Sequence, residues 1–586
     1  MYIENINSPK DIKELSVEQL SVLAEEVRTA LIRKLSEHGG HIGPNLGMVE
    51  TTIALHYVFN SPIDKIVFDV SHQSYVHKML TGRMAAFLDP AKYDDVTGYT
   101  NPDESEHDFF TIGHTSTSVS LAMGLAKGRD LTGGKENIIA VIGDGSLSGG
   151  EALEGLNNTA MLGSNMIIIV NDNDQSIAEN HGGLYKGLKE LRDTNGESPD
   201  NIFKAMGLEY YYLGDGHDVS ALIKLFTSVK DIDRAVVLHI HTIKGKGLKY
   251  AEENKEYWHA GGPFHIEDGS PKGPGWPVNE TVRESVLDLI EKRSDVVAIT
   301  AGTPSVIGFT EDYRKRAGKQ FVDVGIAEEH AVAMASGIAR NGGTPIFGVF
   351  SPFLQRTYDQ LSSDLCLNNN PAVIMVFMAS VYGMNSNTHL GIYDIPMISH
   401  IPNLVYLAPT SKEEYLAMFK YATTQKAHPI AIRIPMMMPE TGIEDTTDYS
   451  LLNKYQVVRK GSGVAIIALG DFFELGVQIA DKYKILTGND VTLINPKFIT
   501  GIDEELLECL KTDHELVLTL EDGIVEGGFG QTIASFYGLS DMNVKNYGIK
   551  KSFPTDFRPE ELMRENGISV EQIIGDIESV CRENVM

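Results

Sequence analysis

Gly143-Asp144-Gly145 and Asn171-Asp172-Asn173 combine oxygen donors with backbone freedom in the way that a divalent cation holding a diphosphate requires. Each tripeptide follows an uninterrupted apolar run, Ile138-Ile139-Ala140-Val141-Ile142 before the first and Met166-Ile167-Ile168-Ile169-Val170 before the second. Such runs read as buried parallel strands, and open α/β sheets bind their ligands at the carboxyl ends of those strands. Gly143 and Gly145 let the backbone come close to phosphate. Asp144 and the side-chain oxygen of Asn173, 29 residues further on, are hard donors. They suit an octahedral Mg²⁺ that takes its other ligands from water and a diphosphate. Gly-Asp-Gly alone is a common turn; a second strand end at this spacing makes the pair a site.

The elements that position these turns extend through the whole chain. At 586 residues it exceeds one hydrophobic core, and domains of about 100 to 200 residues predict three or four. A first α/β segment runs over residues 1–275, where Pro271-Lys272-Gly273-Pro274-Gly275-Trp276-Pro277 interrupts all periodicity and reads as a linker. A second, 276–445, opens on an amphipathic helix, Val282 to Glu291. It then alternates helical runs with strand-like ones at Val296–Thr300, Phe321–Val324, Ile346–Phe350, Val373–Phe377, Leu404–Leu407 and Ile430–Ile434. After the polar stretch Glu440–Ser450 a third, 446–586, has strands at Val464–Ala468, Val491–Ile494 and Leu516–Leu520. The expected fold class is α/β, three domains, each a mainly parallel sheet flanked by helices.

Fifty Lys and Arg against 80 Asp and Glu give a net charge of −30, which disfavours nucleic acid and anionic membranes as partners and requires a local basic pocket for any anionic substrate. Three cysteines, Cys366, Cys509 and Cys581, are too few and too scattered for a disulfide framework or a zinc site. No apolar run approaches the roughly 18 residues of a membrane span, and Met1–Lys10 lacks a signal-peptide core. A cytoplasmic protein is expected.

Asp323-Val324-Gly325-Ile326-Ala327-Glu328-Glu329-His330-Ala331-Val332 runs from a strand into a helix with a carboxylate at the junction. Alone, that carboxylate satisfies the helix dipole. Beside a diphosphate site it acquires a second meaning, because the pair of strand ends matches the signature of thiamine diphosphate enzymes. Glu328 resembles the glutamate that hydrogen-bonds the aminopyrimidine N1′ in that class and promotes loss of the C2 proton. Phe353 resembles the aromatic residue that stacks on the pyrimidine.

The particular family is carried by longer motifs: Asp69-Val70-Ser71-His72-Gln73-Ser74-Tyr75-Val76-His77-Lys78, Gly113-His114-Thr115-Ser116-Thr117-Ser118, Ile326 to Val332, and Phe353-Leu354-Gln355-Arg356-Thr357-Tyr358-Asp359-Gln360. In their types and order they resemble the 1-deoxy-D-xylulose-5-phosphate synthase family over nearly the whole chain. The resemblance implies a transketolase-like homodimer that uses thiamine diphosphate and Mg²⁺ to decarboxylate pyruvate and join the two-carbon unit to glyceraldehyde 3-phosphate. It implies Gln175 as a further metal ligand with Asp144 and Asn173. His72, Gly113, His114, Ser116, Gly143, Gly145 and Ser146 would lie around the diphosphate and thiazolium. His41, in Gly40-His41-Ile42-Gly43, with His259 and His389, would orient substrate and shuttle protons; Arg356 and Arg433 would hold substrate anions. His77 reads as structural or peripheral. Lys244-Gly245-Lys246-Gly247 reads equally as a phosphate loop or a capped turn.

The chain departs from the family where the acceptor phosphate is gripped. Phe377-Met378-Ala379-Ser380 stands for Asp-Arg-Ala-Gly, and Arg433-Ile434-Pro435-Met436-Met437 for Arg-Tyr-Pro-Arg-Gly, so Met378 and Met436 replace two arginines. Asn385 replaces an aspartate and Phe350 a tyrosine. Each lost charge-assisted contact is worth about 2 kcal/mol, roughly a thousandfold in affinity for two. The long insertion of the family between Asn180 and Phe203 is largely missing. Expectation therefore includes a different acceptor or a ketose donor, with E1-type decarboxylation and a non-catalytic paralogue as the competing classes.

Overall fold

The structure, a computed structural model, describes residues 1–273 and 279–583, with side chains to residue 580. The expected linker is described only as far as Gly273; its remainder, 274–277, and the side chain of Cys581 lie outside the described residues. The chain forms two compact units, Met1–Pro277 with Val324–Ala327, and Val278–Asp323 with Glu328–Met586.

In the first unit a short strand, β1 (Gly40–His41), precedes β2 (Lys65–Phe68), β3 (Ile138–Gly143), β4 (Met166–Asp172), β5 (Glu209–Leu213), β6 (Ala235–His241) and another short strand, β7 (Ala260–Gly261). Five of them form a wholly parallel sheet in the order β2-β3-β4-β6-β5. β3 and β4 are central, which is why their sequences are unbroken apolar runs: both faces are covered by helices. Ala54 and Leu55 of α1 (Val49–Val58) and Leu222, Phe226 and Val229 of α5 (Val219–Val229) pack on one face. The other is packed by Val119, Ala122 and Ala126 of α2 (Ser118–Thr132), Ala152 and Leu156 of α3 (Gly150–Thr159), and Tyr185, Leu188 and Leu191 of α4 (Gly183–Asp193). Gly143 pairs with Asn171, so the two carboxyl ends lie side by side.

The second unit begins with α6 (Glu280–Lys292), whose Val282, Val286, Leu287 and Ile290 form its buried stripe. β8 (Val296–Thr300), β9 (Phe321–Asp323), β10 (Thr344–Phe350), β11 (Val373–Phe377), β12 (Val405–Leu407) and β13 (Ile430–Arg433) make a parallel sheet in the order β12-β13-β11-β10-β8-β9, with α7 (Glu328–Arg340) after β9. A further sheet, β14-β16-β15-β17-β18, is built from β14 (Gln456–Arg459), β15 (Gly463–Ala468), β16 (Thr492–Asn495), β17 (His514–Ile524) and β18 (Asn543–Ile549). Only β14, an edge strand, is antiparallel. β14 and β18 escape a reading by apolar runs because edge strands keep polar, exposed positions. β17 runs past the expected end at Leu520 through Glu521 and Asp522. Both are buried, and both are paired: Glu521 accepts the amides of Phe529 and Gly530, each at 2.9 Å, and Asp522 pairs with Arg433.

That pairing corrects one expectation. Arg433 ends β13, but its guanidinium is 3% exposed, donates to Asp394 at 2.8 Å and pairs with Asp522 of β17. Tyr406 Oη donates to the same Asp394 at 2.5 Å. The side chain expected to hold a substrate anion is therefore committed to two buried carboxylates and ties the two sheets of this unit together. Replacing one partner of such a group leaves uncompensated buried charge, so Arg433→Met is expected to destabilise this unit by about 3–5 kcal/mol. Equilibrium denaturation of the variant, with a loss under 1 kcal/mol, would refute that role.

Candidate functional site

The first unit brings the two strand-end turns together as the sequence requires. Asp144 donates its amide to the Asn171 carbonyl at 3.0 Å. Its carboxylate is 1% exposed, and Oδ2 accepts from the Gln175 amide at 3.1 Å and from Asn180 Nδ2 at 2.7 Å. Burial, and after it the neighbouring Asp172 charge, push its pKa up to about 7. Asn173 is buried, and its side-chain oxygen has no protein partner. A buried acceptor left unsatisfied beside a carboxylate whose protein partners are neutral amides fits a hard cation. Among the described residues no group of three or more His, Cys, Asp or Glu could cage a metal; two protein oxygens suit an ion that draws its other ligands from phosphate. Gln175 meets the site through its backbone amide, while its side chain donates to the Ile177 carbonyl at 3.3 Å. A Cβ on Gly145 would fall 2.6 Å from Ser176 Cβ, so only glycine allows these turns to touch.

Two residues that the sequence reading passed over hold the surrounding loops. Asp69 accepts the amides of Ser116 at 2.8 Å and Ser118 at 3.0 Å, pinning the loop of Gly113 and His114, and Ser116 Oγ donates to the Ser146 carbonyl at 2.8 Å. Asn45, wholly buried, donates through Nδ2 to the carbonyls of His41 and His72, both at 2.8 Å. β1 and β7 pair with His41 opposite Ala260, which sets His41 beside His259. The result is a cluster: ring centroids of His41 and His72 lie 5.1 Å apart, His72 and His259 5.3 Å, His41 and His259 5.9 Å, and Tyr99 lies 5.6 Å from His41. Burial, and then Lys244, lower His41 to about 4 and His259 well below its ordinary value. Both imidazoles are neutral at physiological pH.

Lys244, left open between phosphate loop and capped turn, is a buried amine. Its Nζ donates to the Ser176 carbonyl at 2.5 Å and lies 3.0 Å from His259 Nδ1. Burial lowers it to about 7, with Asp144 the main opposing charge. His77 is structural, as read: it is buried 2.9 Å from His56 and 2.8 Å from Asp108, which Arg83 also pairs.

In the second unit Glu328 opens α7 and is 4% exposed. Burial raises it to about 7, opposed by Arg356, whose guanidinium stands 3.8 Å away. Its Oε2 has no hydrogen-bond partner, which fits a carboxyl presented to a ring nitrogen. Phe353 makes edge-on contacts with Phe350 and with His389, at 5.9 Å and 5.6 Å. Arg356 thus faces Glu328 within the protein.

Diphosphate-type strand ends, a buried basic lysine, neutral histidines and a buried helix-start carboxyl on parallel α/β sheets are features of a thiamine diphosphate enzyme of the transketolase type. Residues 3–198 and 193–242 match the family model for 1-deoxy-D-xylulose-5-phosphate synthase, 277–439 the transketolase pyrimidine binding domain and 453–573 the transketolase C-terminal domain. The 1-deoxy-D-xylulose-5-phosphate synthase of Carboxydothermus hydrogenoformans is 36% identical over 97% of this chain and 98% of its own, and that of Shouchella clausii 38% over 98% of each. A solved transketolase from Campylobacter jejuni aligns over 96% of this chain and 100% of its own at 16% identity and a TM-score of 0.44. The chain belongs to the 1-deoxy-D-xylulose-5-phosphate synthase family.

Two outcomes follow from these environments. Asp144→Ala should abolish metal-dependent binding of thiamine diphosphate in calorimetry; unchanged affinity would remove Asp144 from the site. Glu328 carries a raised pKa, so its stabilising protonation is complete at low pH and is lost as pH rises from about 4.5 through about 7. Glu328→Gln should therefore raise the Tm of the cofactor-free protein at pH 8, by up to about 3 kcal/mol of stability, and change it little at pH 4.5. An equal gain at both pH values would contradict the buried-carboxyl account.

Proposed function

We propose that this protein decarboxylates a 2-oxo acid such as pyruvate and transfers the two-carbon unit to an aldehyde, using thiamine diphosphate held through Mg²⁺. The observation that carries the reading is Asp144 beside the partnerless Asn173 oxygen at adjoining strand ends, in a chain that aligns nearly end to end with 1-deoxy-D-xylulose-5-phosphate synthases. Thiamine diphosphate, when bound, supplies the electron sink for decarboxylation and the nucleophilic carbon for ligation.

The chain's own residues take the remaining roles. Asp144 and Asn173, with the Gln175 turn, would hold the ion. Gly143, Gly145, Ser146, Gly113, His114, Ser116 and His72 would line the diphosphate. Glu328 would hold its proton toward the aminopyrimidine nitrogen, and Phe353 would stack on that ring. Lys244 Nζ lies 3.0 Å from His259 Nδ1; donating there, it would leave Nε2–H of His259 as a donor for a developing alkoxide. His41, neutral and with an unpartnered Nδ1, can accept a proton. His389, beside Phe353, would orient the acceptor. The family supports a homodimer, and among the described residues no helix is long and apolar enough to cross a membrane; a cytoplasmic location is part of the proposal.

A specific observation favours an acceptor bound with little help from a phosphate. The amides of Met436 and Met437, which follow β13, both point at Asp471: the Met436 amide donates to its two carboxylate oxygens at 3.1 Å each, and that of Met437 to Oδ1 at 3.4 Å. Donors that an incoming anion would use are held by a carboxylate, Met378 and Met436 carry no charge, and Arg433 is spent on Asp394 and Asp522. With Mg²⁺, thiamine diphosphate and pyruvate, the enzyme should form ligation products from a panel of aldehydes. Its kcat/KM for glyceraldehyde 3-phosphate should exceed that for glyceraldehyde by less than about a thousandfold, the roughly 4 kcal/mol that two arginines would supply. Product analysis with no ligation from any aldehyde would sink the reaction class; a larger preference would sink the acceptor reading alone.

A further inference from the structure

Asp144 and Asn173 do not lie within the strands but just beyond them, on turns that the sheet holds at one end only. A metal site tolerates little movement of its donors, and the groups behind the ligands set how well they are held. In the first unit one helix reaches both turns. The residues leading into α4 begin the contact: Asn180 Nδ2 donates to Asp144 Oδ2 at 2.7 Å. From the first turn of α4, Tyr185 Oη donates to the Gly145 carbonyl at 3.2 Å, next to Asp144. From its last turn, Arg192 Nη1 donates to both oxygens of Asp172, at 2.8 Å and 2.6 Å, and Nη2 pairs with Asp174 Oδ1 at 2.7 Å. Asp172 and Asp174 are the residues before and after Asn173, so a single guanidinium fork straddles the ligand.

The second turn needs that restraint. Asp174 sits at φ +60°, in the left-handed region that costs a non-glycine residue on the order of 1 kcal/mol. Asp172 is wholly buried, and it also lies 2.8 Å from His239 Nε2, whose Nδ1 lies 2.8 Å from Tyr210 Oη. α4 is itself anchored through Tyr185, Leu188 and Leu191, all buried in the core on one face of the sheet. The rigid helix therefore transmits the position of the core to both turns, through one hydroxyl at its start and one guanidinium at its end.

We propose that α4 is a clamp on the metal-ligand turns, with Arg192 and Tyr185 as positioning residues that set the affinity for the divalent ion without touching it. The inference rests on the Mg²⁺–thiamine diphosphate reading of the site. It assigns a role to α4 and to the residues from Asn180 that lead into it.

The test measures Mn²⁺ affinity directly, by electron paramagnetic resonance or calorimetry in the presence of thiamine diphosphate, on the full chain. Arg192→Ala should raise the Mn²⁺ Kd by about tenfold or more, the scale on which groups behind metal ligands act. Arg192→Lys keeps the charge but cannot reach both carboxylates, and should fall between the wild type and Arg192→Ala. Tyr185→Phe, which leaves the apolar anchor in place, should weaken Mn²⁺ severalfold, and the double variant should lose less than the product of the single losses because both act through one helix. The KM for thiamine diphosphate should rise in step, with kcat recovered at saturating Mn²⁺. Unchanged Mn²⁺ affinity with a lowered Tm would make α4 a packing element only and overturn the clamp. So would a kcat loss that saturating Mn²⁺ does not restore. Should Arg192→Ala fail to fold, Arg192→Lys and Tyr185→Phe decide the matter by the same criteria. A wild type that binds no Mn²⁺, or an Asp144→Ala variant that binds it equally well, would instead defeat the metal reading on which the clamp depends.

Discussion

Two carboxylates of one sign, Asp144 and Asp172, are buried at adjoining strand ends, and much of the first unit is arranged around that fact. Like charges in a dry site can persist only if one is neutralised within the protein and the other is left to a mobile cation or a proton. Asp172 is neutralised by Arg192, with His239 beside it. Asp144 receives only neutral amides and is pushed up to about 7. The asymmetry makes one aspartate structural and the other available: Asp172 ends β4, while Asp144 lies just past the end of β3. Lys244, itself lowered to about 7 by burial, is a charge that opposes the rise at Asp144, and its Nζ lies 3.0 Å from His259 Nδ1.

The second unit shows the same physics with a different outcome. Arg433 pairs with Asp394 and Asp522 and joins two sheets, while Asp471 and Glu521, pushed up to about 7 and about 8 chiefly by burial, are held by backbone amides. Glu328 is also raised by burial, yet one of its oxygens has no hydrogen-bond partner and its nearest cation stands at 3.8 Å. Perturbation alone does not separate function from structure in this molecule.

Met378 and Met436, which follow β11 and β13, carry no charge, and the carboxylate of Asp471 takes the backbone donors of Met436 and Met437. The stretch after Asn180 carries α4, which engages both turns beside the candidate metal ligands.

The amino-acid sequence by itself determined the elements and their ends. The runs at Ile138 and Met166 had to be buried strands, because an unbroken apolar stretch of that length has no exposed face, and the glycines and asparagines that follow had to bring those strands to their ends. It placed Asp144, Asn173 and Glu328 at strand or helix junctions for the same local reason. It could not show that Asn45 joins the loops of His41 and His72, that Asp69 gathers the amides of Ser116 and Ser118, or that Arg192 straddles Asn173. Nor could it show that Arg433, outwardly a phosphate ligand, is consumed by two aspartates from distant parts of the chain. Those facts depend on which side chains meet after folding, and a long polar side chain has the same local pattern whether its partner is a substrate, a solvent molecule or a buried carboxylate. Only the tertiary structure decided between them, because burial sets the cost of leaving a charge unpaired and the surrounding chain sets what is there to pair it.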